Sequence, residues 1–175
     1  MKKERILLIG GGGHCRAAID VIELTEVFEI VGIIDVKENI GKKVLNYEII
    51  GTDEDLKKIP KDIHVLITLG HVGNYEKREQ LYRIVKELGF KLANIISPLA
   101  YVSKYASLGE GNIVMHHALI NAGAKIGNNC IINSKALIEH DAVVEDHCHI
   151  STGAIVNGGV IVREGTFLGS NATTR

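Results

Sequence analysis

The chain is 175 residues long and sets 20 Lys and Arg against 21 Asp and Glu, a formal net charge of -1. So even a balance offers no sequence-independent attraction to nucleic acid or to an anionic membrane surface, which leaves small molecules and further copies of the chain as expected partners. At 46% hydrophobic the sequence can fill one good core or two small ones, but no run reaches the roughly 18 apolar residues of a membrane helix.

MKKERILLIG places basic residues before an apolar run that is short and turns glycine-rich without an A-x-A cleavage site. It reads as a buried strand of a cytoplasmic protein rather than a signal peptide. From there to about residue 93, strand and helix patterns alternate: RILLIG, an amphipathic segment from His14 to Leu24, EIVGIID, a short helix near Asp53 to Lys58, HVLITLG, and a helix from Tyr75 to Leu88. Continuous aliphatic β runs separated by helices are the pattern of a parallel sheet covered on both faces. Residues 1–95 are therefore expected to form a small, open, Rossmann-like α/β domain.

The first loop of that domain, in LLIGGGGHCRAAIDVI, runs through Gly10, Gly11, Gly12 and Gly13 to His14. Glycines there let the backbone approach a phosphate, and the helix N-terminus aims N–H groups at its charge. As a dinucleotide fingerprint it is incomplete, because Cys15 stands where G-x-G-x-x-G needs its last glycine. Asp35, closing VGIID, is placed as a ribose-binding carboxylate should be, and a domain of this size suits a mononucleotide better than NAD. After the third long strand, ITLGHVGNYEKR brings Gly70, His71, Gly73 and Asn74. His71 and Asn74 serve there as polar contacts to a ligand or as turn and helix-capping residues. Loops at the carboxyl ends of parallel strands converge where open α/β sheets bind ligands, so a nucleotide-linked ligand is expected at Gly12, Gly13, His14, Asp35, Gly70, His71 and Asn74.

After residue 100 the period becomes six. Val102, Leu108, Val114, Ile120, Ile126, Ile132, Ile138, Val144, Ile150, Val156, Val162 and Leu168 form an uninterrupted aliphatic column, and four residues after each stands a mostly small side chain, among them Cys130 and Cys148. No helix or ordinary strand has this period; a β-solenoid has it, with each hexapeptide forming one flat side of a coil. The two cysteines then read as small core residues. With Cys15 they are odd in number, widely spaced and without a C-x-x-C pair, which argues against a disulfide framework or structural zinc. The pattern closely resembles the left-handed parallel β-helix of hexapeptide-repeat acyltransferases, which implies a triangular prism of three hexapeptides per coil and four coils. The sequence stops at LGSNATTR in mid-repeat, and the expectation is a shortened form of a longer protein.

GGGGH after the first strand, a short α/β domain, and a solenoid containing NSKALIEHD with a second histidine nine residues after His140 together resemble a known family. It is that of the bacterial sugar O-/N-acyltransferases, of the sialic acid O-acetyltransferase and UDP-4-amino-sugar N-acetyltransferase type. The resemblance covers essentially the whole chain. It implies a homotrimer, a nucleotide-sugar site on the N-terminal domain, and acetyl-CoA as co-substrate in a groove between neighbouring solenoids, with residues 96–175 as the acyltransferase domain.

Counting outward from the inward position Ile138, Glu139, His140 and Asp141 fall outside the core, where packing does not account for them. The resemblance makes His140 the general base and Asp141 the carboxylate that raises its basicity, and the chemistry suits both. An acceptor amine or hydroxyl must lose a proton as it attacks the thioester; imidazole can take it, and a carboxylate on its other nitrogen fixes the tautomer. His149 matches the family histidine at the acyl end of CoA, where a donor would favour the developing oxyanion. Asn133 matches an asparagine near the same centre, and Gly158 and Gly159 match the place where the backbone clears the pantetheine arm. His147 has no counterpart and reads as a solvated surface residue; His116 and His117 stay unassigned.

The reading is thus an acetyl-CoA-dependent acetyltransferase acting on an amino or hydroxyl group of a nucleotide-linked or free sugar in surface-glycan synthesis, with no metal expected. Two alternatives stand beside it. One is a nucleotide-sugar-binding protein without catalysis; the other is a trimeric zinc enzyme of the γ-carbonic anhydrase type, to which the histidine-rich segment also answers.

Overall fold

The structure, a computed structural model, describes residues 3–175; Met1 and Lys2, at the head of the basic lead, lie outside the described residues. The run RILLIG forms β1 (Glu4–Ile9), whose Ile6, Leu7, Leu8 and Ile9 are all buried. Burial on both sides follows from the two helices. Helix α1 (Gly13–Thr25) lays Cys15, Ile19 and Ile22 on Ile6 and Leu8, and helix α2 (Glu76–Glu87) lays Leu81 and Val85 on Leu7 and Ile9. Strands β2 (Phe28–Ile34), β4 (Tyr47–Gly51), β5 (His64–Ile67) and β6 (Lys91–Leu92) run parallel to β1, and β3 (Lys43–Val44) pairs antiparallel with β4.

The sheet therefore has six strands in the order β3-β4-β2-β1-β5-β6, where the sequence pattern showed three. The missed hairpin lies in KVLNYEIIG, whose turn is made by Leu45 at φ 53° rather than by the Asn-Gly or Gly-rich pair that marks such turns. The short helix near residue 53 is a 3-10 turn, Asp53–Lys58, closed by a capping box between Thr52 and Asp55. Chain direction across the sheet reverses between β1 and β5, so the loops after these strands flank its switch point.

From β7 (Ile95–Ile96) onward two-residue strands begin every six residues. One parallel sheet holds β7, β10 (Ile113–Val114), β13 (Ile131–Ile132), β16 (His149–Ile150) and β19 (Phe167–Leu168). A second holds β8 (Tyr101–Val102), β11 (Leu119–Ile120), β14 (Leu137–Ile138) and β17 (Ile155–Val156). The third holds β9 (Ser107–Leu108), β12 (Lys125–Ile126), β15 (Val143–Val144) and β18 (Ile161–Val162). These three sheets are the sides of a left-handed β-helix, and registers such as Ile113↔Ile131 and Ile120↔Ile138 make each coil eighteen residues long. The aliphatic column fills the prism together with Ala118, Ala124, Cys130, Ala136, Ala142, Cys148 and Ala154, all buried.

The outer surface of the first sheet docks on the N-terminal domain: Ile95, Ile113 and Met115 share a core with α1 and β1. The side chain of Ile138 is fully buried in the prism, and truncating such a residue leaves a cavity its stacked neighbours cannot close. Ile138→Ala is expected to cost about 2–5 kcal/mol in denaturant unfolding; an unchanged midpoint would place the repeat in another register.

Candidate active site

At the corner after β14, the chain turns through Glu139, His140 and Asp141, with Asp141 in the left-handed region at φ 58°. The side chains of His140 and Asp141 stand 67% and 74% exposed, and the His140 Nδ1–H donates to Asp141 Oδ2 at 3.0 Å. Adjacent coils make room for them. A Cβ on Gly158 would lie 2.8 Å from His140 Nε2, and one on Gly123 would lie 2.3 Å from Asp141 Oδ1. Gly158, matched by family to the CoA arm, thus has a second reason to be glycine. The Asp141 hydrogen bond, aided by its charge, raises the pKa of His140 above the ordinary histidine value. With Nδ1–H committed, Nε2 is the atom left to take a proton.

A second group of residues lies where the N-terminal domain meets the solenoid. His149 points outward from β16, its Nδ1–H donating to the carbonyl of His71 at 2.8 Å, while the Nε2–H of His71 donates to the carbonyl of His147 at 3.0 Å. Asn133 donates its Nδ2–H to His149 Nε2 at 3.2 Å, and its Oδ1 accepts the Ser134 N–H at 2.8 Å. The His14 and His71 rings lie 6.2 and 5.5 Å from that of His149. Burial, then the charge of Arg78 among its neighbours, lowers the pKa of His14 to about 3; burial, then His149 and Arg78, lowers that of His71 to about 4. Burial likewise lowers that of His149. All three rings are therefore neutral near pH 7. The hydrogen bonding corrects one expected role: with Nδ1–H given to His71, Nε2 of His149 is an acceptor, so the donor at this spot is the Asn133 amide.

The remaining expected residues sort as follows. Asp35 accepts the N–H groups of Gly11 at 2.7 Å and Val36 at 2.6 Å, fixing the glycine loop to the end of β2. It lines an open cleft of about 560 Å³ with Gly10, Thr52, Asp53, Leu69 and Lys77. Gly12 and Gly13 are exposed at the head of α1 with open space beside them, and Gly70 packs on His14. His71 faces the solenoid rather than this cleft, and Asn74 accepts the Glu76 N–H at 2.9 Å in an Asx turn that leads into α2. Gly159 sits at a coil corner where an added Cβ would meet nothing within 4 Å.

His147, expected in solvent, is only 5% exposed. Helix α2 crosses that coil, stacking Tyr75 on the ring at 6.1 Å and setting Tyr82 edge-on at 5.2 Å. His116 joins the domains, with Nδ1 2.7 Å from Ser97 Oγ and Nε2 2.7 Å from Asp20 Oδ2 of α1; His117 is an exposed corner residue at φ 59°. Sequence reading passed over Arg78. This residue is 1% exposed and donates to the carbonyls of Ile67 (2.6 Å), Leu69 (2.8 Å) and Asn129 (3.1 Å), pinning the loop after β5 to the solenoid. Its signal was present in the helical period, which puts it on one face with Leu81 and Val85.

Within one chain His140 leaves the corner after the second sheet, whereas Asn133 and His149 belong to the first. The three histidines His140, His147 and His149 do not gather around one point.

Residues 5–85 match the PglD N-terminal domain family. A mutant perosamine N-acetyltransferase from Caulobacter crescentus, solved with CoA and GDP-perosamine, superposes with a TM-score of 0.84 at 27% identity, over 97% of this chain and 88% of its own. The acetyltransferase domain of PglB from Neisseria gonorrhoeae gives 0.79 at 28% identity, over 98% and 88%. The same domain solved with acetyl coenzyme A gives 0.73 at 25%, over 98% and 88%. Among curated proteins, an uncharacterised protein of Acanthamoeba polyphaga mimivirus is 32% identical over 109 residues, which is 62% of this chain but only 21% of that protein's length. Stacked hexapeptide coils with a His–Asp corner, on a backbone that superposes with these enzymes, define an acyltransferase of the left-handed β-helix class. Its α/β domain matches the PglD N-terminal family over residues 5–85, and over both parts the chain is similar to the perosamine N-acetyltransferase and the PglB acetyltransferase domain.

Since the raised pKa of His140 comes first from the Asp141 hydrogen bond, Asp141→Asn is expected to move its midpoint down toward the ordinary histidine value. Histidine-resolved NMR titration checks this, and an unmoved midpoint would remove Asp141 as its orienting partner.

Proposed function

We propose that the chain transfers an acetyl group from acetyl-CoA to the amino group of a nucleotide-linked sugar, in the making of surface glycans. The observation that carries the reading is the corner where Asp141 holds the Nδ1–H of an exposed imidazole and glycine stands against its Nε2. The solved neighbours carry CoA with GDP-perosamine in one case and acetyl-CoA in another, which supports the same pair of ligand classes here. Hydroxyl acceptors call for the same base, and a panel including them separates the two outcomes.

The nucleotide is assigned to the cleft beside Asp35 and the glycine loop, and the sugar to the side of the loop that carries His14. As the acceptor nitrogen attacks the thioester carbonyl, a C–N bond forms and His140 Nε2 takes the proton; the C–S bond then breaks and the CoA thiolate leaves, to be protonated in turn. No acyl-enzyme is needed, because both substrates bound together already supply orientation. Developing charge on the carbonyl oxygen falls to the N–H of Asn133 that His149 leaves free.

Because His140 and Asn133 lie on different faces, this assignment requires a neighbouring copy to complete the site. An outward column of Tyr101, Leu119, Leu137 and Ile155 runs up the second sheet beside His140, with Tyr101 60% exposed. That apolar strip supports a homotrimer packed through the solenoids. Among the described residues no helix is long and apolar enough to cross a membrane, and we assign the enzyme to the cytoplasm, where both substrates are made.

The test is thiol release from acetyl-CoA with UDP- and GDP-linked amino sugars and their hydroxy analogues. Nucleotide binding without release for any acceptor would leave the non-catalytic reading. His140→Ala is expected to lower kcat by about 10² to 10⁴ with melting unchanged, and a loss under about threefold would remove His140 as the base. Gly158→Ala should also cut kcat, by pushing the imidazole off its place, while leaving the fold intact.

A further inference from the structure

Helix α2 crosses the solenoid over the coil that holds His147, and three metal-ligating side chains meet there, away from the His140 corner. Glu79 comes from α2, His147 from the turn after β15 and Glu164 from the turn after β18, with ligand atoms all within 4.8 Å of one another. We propose that Glu79, His147 and Glu164 bind a divalent transition-metal ion of the zinc class, which braces the N-terminal domain against the solenoid.

The imidazole is held as a ligand should be. Tyr75 stacks on it and Tyr82 abuts its edge, which confines the ring, and its hydrogen bond among the described residues is at Nδ1, 3.0 Å from the Asn129 amide nitrogen. Nε2 is the nitrogen left for an ion. A metal-bound imidazole carries its proton on the other nitrogen and gives it to an oxygen. Such an oxygen is at hand: Asn129 is fully buried and its Oδ1 has no partner. A half-turn of that carboxamide sets Oδ1 on the Nδ1–H, gives up the long 3.3 Å bond to the Arg78 carbonyl and moves the Nδ2 group to the place Oδ1 held. The turn gives that otherwise stranded acceptor a partner.

Charge points the same way. Two carboxylates close to each other repel, and the counter-charge in contact is Arg83, 70% exposed, bound to Glu79 in a surface i,i+4 pair that solvent readily replaces. Among the described residues Glu164 hydrogen-bonds through its backbone N–H alone. One imidazole with two carboxylates suits zinc, cobalt or nickel better than calcium or magnesium, which prefer all-oxygen shells. Zinc–ligand bonds of about 2.0–2.2 Å require the two flexible glutamate side chains to close in slightly on the fixed ring. Three protein ligands leave water in the remaining position.

The test uses untagged, chelator-stripped protein without substrates, so its outcome is independent of acetyl transfer. Zinc is titrated by calorimetry, cobalt by its visible spectrum, and melting is followed with and without zinc. Expected are one ion per chain, a higher melting temperature in zinc, and at least tenfold weaker binding for Glu164→Gln, an exposed position whose apo melting should match the parent. Glu79→Gln serves as the second variant. Absence of saturable binding at one ion per chain would overturn the proposal, as would binding that both variants leave unchanged, which would put the ion elsewhere.

Discussion

Backbone hydrogen bonds between coils held in an eighteen-residue register, such as Ile120↔Ile138↔Val156, govern where every functional side chain of the solenoid can stand. A two-residue strand has no stability of its own; each gains it from the coils on either side and from the column of aliphatic residues they bury together. The same ladder gives each outward side chain a fixed pair of neighbours, one coil before and one after. His140 has Gly158 above it and Asp141 has Gly123 below it, so the acid–base pair occupies a notch cut by glycines rather than a pocket closed by loops. Precision at the corner thus comes from the scaffold, although both side chains are exposed.

The junction between the domains works by another rule. It is built from neutral imidazoles and main-chain carbonyls, with a guanidinium at its centre whose hydrogen-bond partners among the described residues are carbonyls and not carboxylates. Three carbonyls, from the end of β5, the loop after it and one solenoid turn, bear the Arg78 charge, and burial, helped by that charge, keeps His14 and His71 unprotonated. His71 and His149 then each have one defined donor nitrogen, set by a carbonyl of the other domain. Docking of the domains and the protonation pattern of the site are consequently one event.

What could be read from the sequence follows this division. The solenoid was legible because its stacking demands one aliphatic side chain in six, and a column of twelve leaves no choice of phase; the exposure of His140 follows from Ile138 lying inside. The burial of His147 was not legible, since it is covered by Tyr75 and Tyr82 from a domain that precedes it by some seventy residues. The tautomer of His149 depends on a carbonyl 78 residues away, and no local pattern carries that. The hairpin of β3 and β4 escaped for a local reason, a turn built on Leu45 rather than glycine.

The coil length also sets how the solenoid can change its length. Inserting or deleting one hexapeptide between Asn133 and His140 would keep inside and outside in register, yet it would carry the His–Asp pair to the next side of the prism. Only a whole coil of eighteen residues restores both phase and face. Length variation in this half of the molecule is therefore quantised, with the permitted step set by the backbone ladder and indifferent to how well the inserted residues pack.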